Sequence, residues 1–305
     1  MRHAAWMPRK PLPSAISAQP FSTQDARGLG VGRGRLRGSD LIQPFRGVHL
    51  PRGVPPTLIN RCLALQTRLP PYAFFSGVTA ALVMGIPLPS AFEIDPRVHV
   101  SVPRPRVAPQ GRMVVGHVSS SAGFRYWRGV RVSPPERVWC ELGRDLRLAD
   151  LVAAGDFLIH RELPITNAAG LALEVDGWGR RAGCAVLRNA LPLLSDRSES
   201  PRESILRVLL VGAGIAGLVP NLPIRTSGGY DYRADLAFPD QKVIVEYQSR
   251  FHDNSASFTD DMTRKSRLEA DGWHVIEVNA RDLDDPAELI ARIRRVLARR
   301  ASAHG

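Results

Sequence analysis

Residues 232–252 of the chain read YRADLAFPDQKVIVEYQSRFH, and this stretch decides the fold of the C-terminal part. It predicts two strands, around residues 232–238 and 243–248. Because successive strand residues face opposite sides, Glu246 and Gln248 project from one face and Tyr247 from the other. If the strands pair as neighbours, Asp235 approaches Glu246. Two carboxylates converging at a sheet edge offer hard oxygen ligands, which predicts a site for Mg²⁺ or Mn²⁺.

A helix precedes these strands. Ser200 is its expected N-cap, Pro201 takes the first helical position and Glu203 the third. Glu203 has two readings, since it can add a third carboxylate to the metal site or form the reciprocal half of its own capping box. Both roles hold together only if its side chain turns inward.

The remaining pattern of the C-terminal part is equally regular. It predicts a strand at residues 222–226, a helix at 259–271, a strand at WHVIEVN and a last helix from Pro286. The predicted order is therefore helix, three strands, helix, strand, helix. We expect an αβββαβ core over residues 198–305.

The run VGAGIAG carries the GxGxxG spacing of dinucleotide-binding proteins at Gly212, Gly214 and Gly217. That interpretation needs a strand before the glycines and a helix after them. The residues before them belong to the well-capped helix, and two prolines follow in LVPNLP. The favoured interpretation is a glycine-rich helix C-terminus leading into a turn.

Charge is unevenly distributed along the 305 residues, whose formal net charge is +12. Residues 1–60 carry nine Lys or Arg against two Asp or Glu, residues 61–197 seventeen against eleven, and residues 198–305 fifteen against sixteen. Basic segments of this kind favour a polyanionic partner such as DNA. Arginine supplies nearly all of the positive charge, so a compositional bias of the genome is the alternative explanation.

The three cysteines are far apart and form no CxxC pair, which argues against a zinc site or a disulfide framework and favours a reducing cytoplasm. No apolar run is long enough to suggest a membrane span or a secretory signal. Residues 1–20 are basic and proline-rich, and we expect a disordered lead-in there.

Residues 21–54 predict a short helix capped by Ser22 or Thr23, a glycine turn, a second helix over residues 33–40, and a hairpin turning near Arg46. This is the layout of a small winged helix, in which the second helix would enter the major groove of DNA. The candidate DNA contacts are Arg33, Arg35, Arg37 and Arg46. A merely solvated basic segment is the alternative, because the glycines weaken both helices. Residues 55–197 mix short strands and helices and form a mixed α/β middle domain.

Several of these motifs together resemble known families. SPRE with Glu203, YRADLAFP with Asp235, KVIVEYQ, His252 and MTRKSRLEADGWHVIEVNARDL resemble the PD-(D/E)xK nuclease-like domains related to very-short-patch repair endonucleases. FSTQDA, VGRGRL, DLIQPFRGVHLP, SGVTAALVMGIPLP, VHVSVP and SPPERVWCEL are similar to winged-helix antitoxins of abortive-infection (AbiEi) systems. The resemblance implies a restriction-endonuclease-like C-terminal domain fused to an antitoxin-like region. It also implies Mg²⁺-dependent DNA hydrolysis, with a toxin or other protein as a further partner.

The chain departs from the nuclease pattern at one position. Many members carry a lysine where this chain has Gln248, and glutamine supplies no positive charge. Arg250, Lys265 or His252 can supply it from nearby. The favoured interpretation of each is nevertheless an ordinary one, with Arg250 on a loop, Lys265 on the solvated face of its helix and His252 in a turn, although His252 occupies a position where the family often has histidine. Two hypotheses follow. The first is a DNA endonuclease or nickase with Asp235, Glu246, Gln248 and His252 at its centre. The second is a non-catalytic DNA-binding regulator that retains the nuclease fold.

Overall fold

A computed structural model of the chain describes residues 10–120, 123–248 and 255–304. The chain forms two compact units, Met1–Glu141 and Leu142–Gly305. Each unit combines helices with β-sheet, so the mixed α/β class predicted from the sequence is confirmed. Within the described ranges, no helix has the length and apolar character needed to cross a membrane.

The first unit contains two β-sheets. Its helices are α1 Ser14–Ser17, α2 Thr23–Gly28, α3 Leu58–Gln66, α4 Gly77–Met84, α5 Ser90–Ile94 and α6 Pro135–Leu142, which ends at the boundary. Its strands are β1 Phe21–Ser22, β2 Leu41–Phe45, β3 Val48–Pro51, β4 Phe74–Phe75, β5 Val98–Pro103, β6 Val114–Ser119, β7 Arg125–Trp127 and β8 Val130–Val132. The strand orders are β1-β3-β2 and β6-β5-β4-β8-β7.

The N-terminal segment agrees in part with the winged-helix expectation. Helix α2 begins after Ser22, whose hydroxyl and backbone form a reciprocal capping box with Asp25. Strands β2 and β3 form the predicted antiparallel hairpin. The second helix predicted over residues 33–40 is wrong, since a single 3-10 turn at Arg35–Arg37 replaces it. Inside the expected lead-in, residues 14–17 form a helical turn that buries Ile16.

The second unit begins with helices and continues into the predicted αβββαβ order. Its helices are α7 Leu148–Ile159, α8 Ala168–Trp178, α9 Cys184–Ala190, α10 Pro201–Gly212, α11 Ser255–Ala270, α12 Ala280–Asp284 and α13 Pro286–His304. Its strands are β9 Val219–Arg225, β10 Asp231–Phe238, β11 Val243–Tyr247 and β12 His274–Val278. Helices α7 to α9 thus belong to the same compact unit as this core.

The sheet of the second unit has the order β12-β11-β10-β9. Strands β9, β10 and β11 are antiparallel, whereas β12 runs parallel to β11. Side chains alternate along β11, so Val243 and Val245 pack towards α10 and α13 while Ile244 packs with Leu268 of α11. Helices therefore cover both faces of the sheet. Glu246, two residues beyond Ile244, lies on the face that α11 covers.

Helix α10 ends where the glycine-rich run begins. The N–H groups of Ala213, Gly214 and Ile215 donate to carbonyls of the last helical turn, and Gly214 has φ of 71°. This is a helix C-terminus closed by a left-handed glycine. A helix therefore precedes the glycines where the dinucleotide motif needs a strand, and the helix-end interpretation is confirmed.

A buried ion pair fixes helix α10 against α7. Asp156 on α7 is 1% exposed, and its carboxylate accepts from Arg207 Nη2 at 2.6 Å and from Ser204 Oγ at 2.7 Å. The N–H of Ser195 donates to its other oxygen at 2.7 Å. Because α10 also carries Glu203, this network helps set the position of that carboxylate.

Candidate active site

Asp235 and Glu246 lie on neighbouring strands, as the sequence predicted. Strand β10 pairs with β11 in a register that joins Leu236 to Val245, so Asp235 and Glu246 continue the same ladder. The Tyr247 N–H donates to Asp235 Oδ2 at 3.0 Å. This hydrogen bond turns the Asp235 carboxylate towards the end of β11 and brings it next to Glu246.

Glu246 is 7% exposed and is held by Arg264 of helix α11. Arg264 Nη2 donates to Glu246 Oε1 at 2.5 Å, and Nη1 donates to Oε2 at 3.2 Å. Arg264 Nη2 also donates to the carbonyl of Arg233 at 2.9 Å. The guanidinium is therefore fixed between β10 and β11 in a two-pronged contact typical of arginine and carboxylate.

Glu203 faces inward from the first turn of α10 and is 8% exposed. Its N–H donates to Ser200 Oγ at 3.2 Å, which confirms the predicted N-cap. Its Oε2 accepts from the N–H of Glu199 at 3.0 Å and from Asn221 Nδ2 at 3.5 Å. The side chain turns inward and reaches back over the helix start, but it accepts from the N–H of Glu199 and not from that of the N-cap Ser200, so the reciprocal half of the expected capping box does not form.

The electrostatics tie the three carboxylates together. Burial raises the pKa of Glu203, and the nearby charge of Asp235 raises it further. Burial also raises the pKa of Asp235, against the opposing effects of the Tyr247 N–H and Arg264. Burial raises the pKa of Glu246 to about 7, although Arg264 opposes the shift, and Asp235 adds to it. Each shift reflects negative charge that is costly to bury without a compensating cation.

Asn221 on β9 borders the same site in a conformation that is rare for a residue with a side chain. Its φ is 50°, and it is 5% exposed. Its amide donates to the carbonyl of Arg197 and to Glu203. Asparagine tolerates left-handed backbone better than most residues, and strained positions of this kind cluster at functional sites.

Gln248 stands where the nuclease motif has lysine. The structure places it and the cations predicted near it in different parts of the second unit. The Gln248 N–H donates to the Val278 carbonyl at 2.7 Å, and its side chain is half-buried. Lys265 lies at the surface and pairs with Glu277 at 3.2 Å. His252 and Arg250 lie outside the described residues. Arg264, one residue before Lys265, is the cation that the structure places on Glu246.

Arg264 is not among the site residues predicted from the sequence, although its spacing from Leu268 indicates that it faces the sheet. It lies four residues before Leu268, which packs against the sheet, so both residues project from the same side of α11. The strained Asn221 had no comparable signal, because its φ follows from the sheet geometry. These two residues complete the surroundings of the predicted carboxylates.

The carboxylates of Glu203, Asp235 and Glu246 fit a hard divalent cation in ligand type. Within the described ranges, however, no group of three or more His, Cys, Asp or Glu side chains is arranged to hold a metal ion. Arg264 occupies both oxygens of Glu246. Binding of a cation by all three carboxylates therefore requires Glu246 to leave Arg264.

The arginines predicted to contact DNA lie in the first unit. Arg33 is exposed before the 3-10 turn, Arg37 is exposed at its last position, and Arg46 is exposed at the hairpin turn. Arg35 is engaged within the protein, since its Nη1 and Nη2 donate to the two oxygens of Asp40 at 3.0 and 2.6 Å. Its Nε donates to the Lys10 carbonyl at 2.6 Å. The guanidinium of Arg35 therefore holds the turn together.

Comparisons with known proteins give relatives but no activity. The chain is similar to "Uncharacterized protein MT2308" of Mycobacterium tuberculosis strain CDC 1551 / Oshkosh and to "Uncharacterized protein Rv2248" of strain ATCC 25618 / H37Rv. Each is 29% identical over 271 residues, which cover 87% of this chain and 95% of the relative. No protein-family model and no solved structure matches the chain.

Proposed function

We propose that the second unit hydrolyses phosphodiester bonds in DNA as a metal-dependent endonuclease or nickase. The observation that carries the proposal is the approach of half-buried Asp235 on β10 to two buried carboxylates, Glu246 on β11 and Glu203 at the start of α10. Holding two buried carboxylates close to a third, half-buried one costs free energy, and a bound cation would offset that cost. Carboxylate clusters of this kind commonly hold Mg²⁺ or Mn²⁺.

The topology supports the same proposal. Helix α10 precedes the antiparallel strands β9 to β11, helix α11 crosses one face, and β12 returns parallel to β11. This order agrees with the restriction-endonuclease-like core implied by the sequence motifs. The hairpin of β2 and β3 behind the capped helix α2 agrees with a winged-helix-like module that binds DNA. Fold alone does not fix activity, so the proposal depends on the site.

Each side chain has a defined task in this proposal. When bound, the cation would lower the pKa of a water molecule and polarise the phosphate. Glu203, Asp235 and Glu246 would hold it. Arg264 would supply the positive charge that Gln248 lacks, because its planar guanidinium can bind two phosphate oxygens at once. Release of Arg264 from Glu246 therefore frees a metal ligand and a phosphate-binding group together.

The second candidate function is a non-catalytic DNA-binding regulator, antitoxin-like, with a toxin as partner. Two observations favour it, namely the bidentate pairing of Arg264 with Glu246 and the glutamine at position 248. If the ion pair never opens, Arg264 neutralises the carboxylate permanently and the nuclease fold serves binding or structure. The two candidates differ in whether the protein binds a divalent cation.

The discriminating experiment is incubation of purified protein with supercoiled plasmid and Mg²⁺ or Mn²⁺. We expect nicked or linear DNA from the wild type and loss of at least 100-fold in rate for Glu246→Ala, in the range found for groups that stabilise charge in hydrolytic sites. The matched control is Glu277→Ala. Glu277 lies opposite Glu246 in the backbone register of β11 and β12, but its side chain is exposed. Cleavage unaffected by Glu246→Ala would refute the nuclease proposal. Absence of both cleavage and Mn²⁺ binding by calorimetry, with DNA binding retained, would establish the regulator.

A further inference from the structure

A groove of about 600 Å³ opens in the first unit, and its walls come from three elements. The turn between β2 and β3 forms one wall and carries Arg46. The end of α3, with Leu65 and the following Arg68, forms the floor. The turn before β6, closed by the bridge of Gly111 with Val114, forms the other wall and carries Arg112.

The charged lining of this groove is entirely basic. Arg46, Arg68 and Arg112 are exposed and contribute to its lining, which contains no Asp or Glu among the described residues. Arg68 Nη1 donates to the Arg46 carbonyl at 2.5 Å and so ties the floor to the wall. Three like charges around one concave surface attract an anion more strongly than scattered surface arginines do.

The rest of the first unit reinforces this field. Residues 1–141 carry nineteen Lys or Arg against six Asp or Glu, whereas residues 142–305 carry twenty-two against twenty-three. The net positive charge of the chain is therefore concentrated in the unit that contains the groove.

We infer that this groove docks the sugar-phosphate backbone of DNA, with Arg46, Arg68 and Arg112 as the phosphate contacts. Arginine pairs with phosphate oxygens in a fixed fork, and such contacts position a protein on DNA without reading its sequence. A small-molecule site would enclose its ligand, whereas this groove is partly open, and every charged side chain in its otherwise largely apolar lining is an arginine. The inference rests on the DNA binding in the proposed function and names its site. The groove thereby takes the place of the predicted second helix, which does not form, as the main element that docks DNA.

The test measures binding of a fluorescently labelled duplex of about 30 base pairs by anisotropy in EDTA, over a range of salt concentrations. The variants are Arg112→Ala and Arg46→Ala, since both side chains are exposed and their removal leaves the core intact. The control is Arg125→Ala, which removes the same charge from β7, at the opposite edge of the sheet from β6. Each lost phosphate contact reduces the salt slope by about 0.9 and weakens binding roughly eightfold at 0.1 M salt.

We expect both groove variants to show this loss and the Arg125 variant to bind nearly like the wild type. Equal binding by all four proteins would overturn the groove assignment while leaving DNA binding intact. A wild type that binds no duplex would refute DNA binding itself, and with it this inference. Preference for vesicles containing anionic lipid over the duplex would also overturn it. None of these outcomes depends on the metal, so failure of cleavage is a separate result.

Discussion

Glu246 gives the second unit a pH dependence of stability that one substitution should remove. Burial raises the pKa of its carboxyl to about 7 in the folded protein, against about 4.3 in an unfolded chain. Between these values the folded state retains a proton that the unfolded state has lost. The stabilisation is therefore complete below pH 4.3 and is lost as pH rises through 7.

The size of the effect follows from the same two values. The full difference corresponds to about 4 kcal/mol, because each pH unit between the two values is equivalent to about 1.4 kcal/mol. About 3 kcal/mol of it is lost between pH 4.5 and 8, since the titration of the unfolded chain has already begun at pH 4.5. Solvent screening reduces it little, since Glu246 is 7% exposed. Glu246→Gln keeps the side-chain volume but has no proton to exchange, so its contribution does not change with pH.

The assay is urea-induced unfolding at a series of pH values from 4.5 to 8 in EDTA. Unfolding is monitored by the hydrogen exchange of peptides that cover β11. We expect the free energy of unfolding of the wild type to fall by about 3 kcal/mol relative to Glu246→Gln over this range. Comparison with the variant removes the contributions of titrating groups that do not interact with Glu246. Parallel curves would refute the reasoning. A wild type that gains stability relative to the variant would show that Arg264 keeps Glu246 ionised at low pH.

Two further predictions concern the second unit. Asp156→Asn and Arg207→Met should each lower the free energy of unfolding by about 3–5 kcal/mol, because either change leaves a buried group unpaired, whereas the double variant Asp156→Leu with Arg207→Met should recover much of the loss. Urea titration checks this, and equal losses in single and double variants would contradict it. Gly183→Ala should destabilise more than Gly179→Ala, since both have positive φ but only at Gly183 would the added Cβ lie 2.4 Å from the Gly143 carbonyl carbon. Equal midpoints of thermal unfolding would contradict it.

Local signals in the sequence were sufficient for most of the C-terminal core. The alternation in KVIVEY, the Ser200 cap and the helical spacing around Leu289 each depend on neighbours within one element. Those signals place Asp235 and Glu246 on consecutive strands, and the approach of the two carboxylates follows if these strands pair. The αβββαβ order follows directly from them.

The remaining features depend on tertiary contacts or on weak helix propensity. The contact of Arg264 with Glu246 depends on how α11 rotates over the sheet, which spacing alone limits only to one side of the helix. The second helix predicted at residues 33–40 does not form, because each of its glycines lowers helix stability by about 1 kcal/mol. Asp40 then holds Arg35 in a turn instead. The sequence also did not predict the groove, because its walls come from segments that are far apart in the chain and meet only in the folded protein.

The most direct test of the central claim is a crystal structure of the protein with Mn²⁺, recorded at a wavelength that gives manganese an anomalous signal. We predict an anomalous peak bound by Asp235 and Glu246, with Glu203 nearby and the Arg264 guanidinium displaced from the Glu246 carboxylate. An intact pair of Arg264 and Glu246, with no anomalous peak beside Asp235 at millimolar Mn²⁺, would contradict the account.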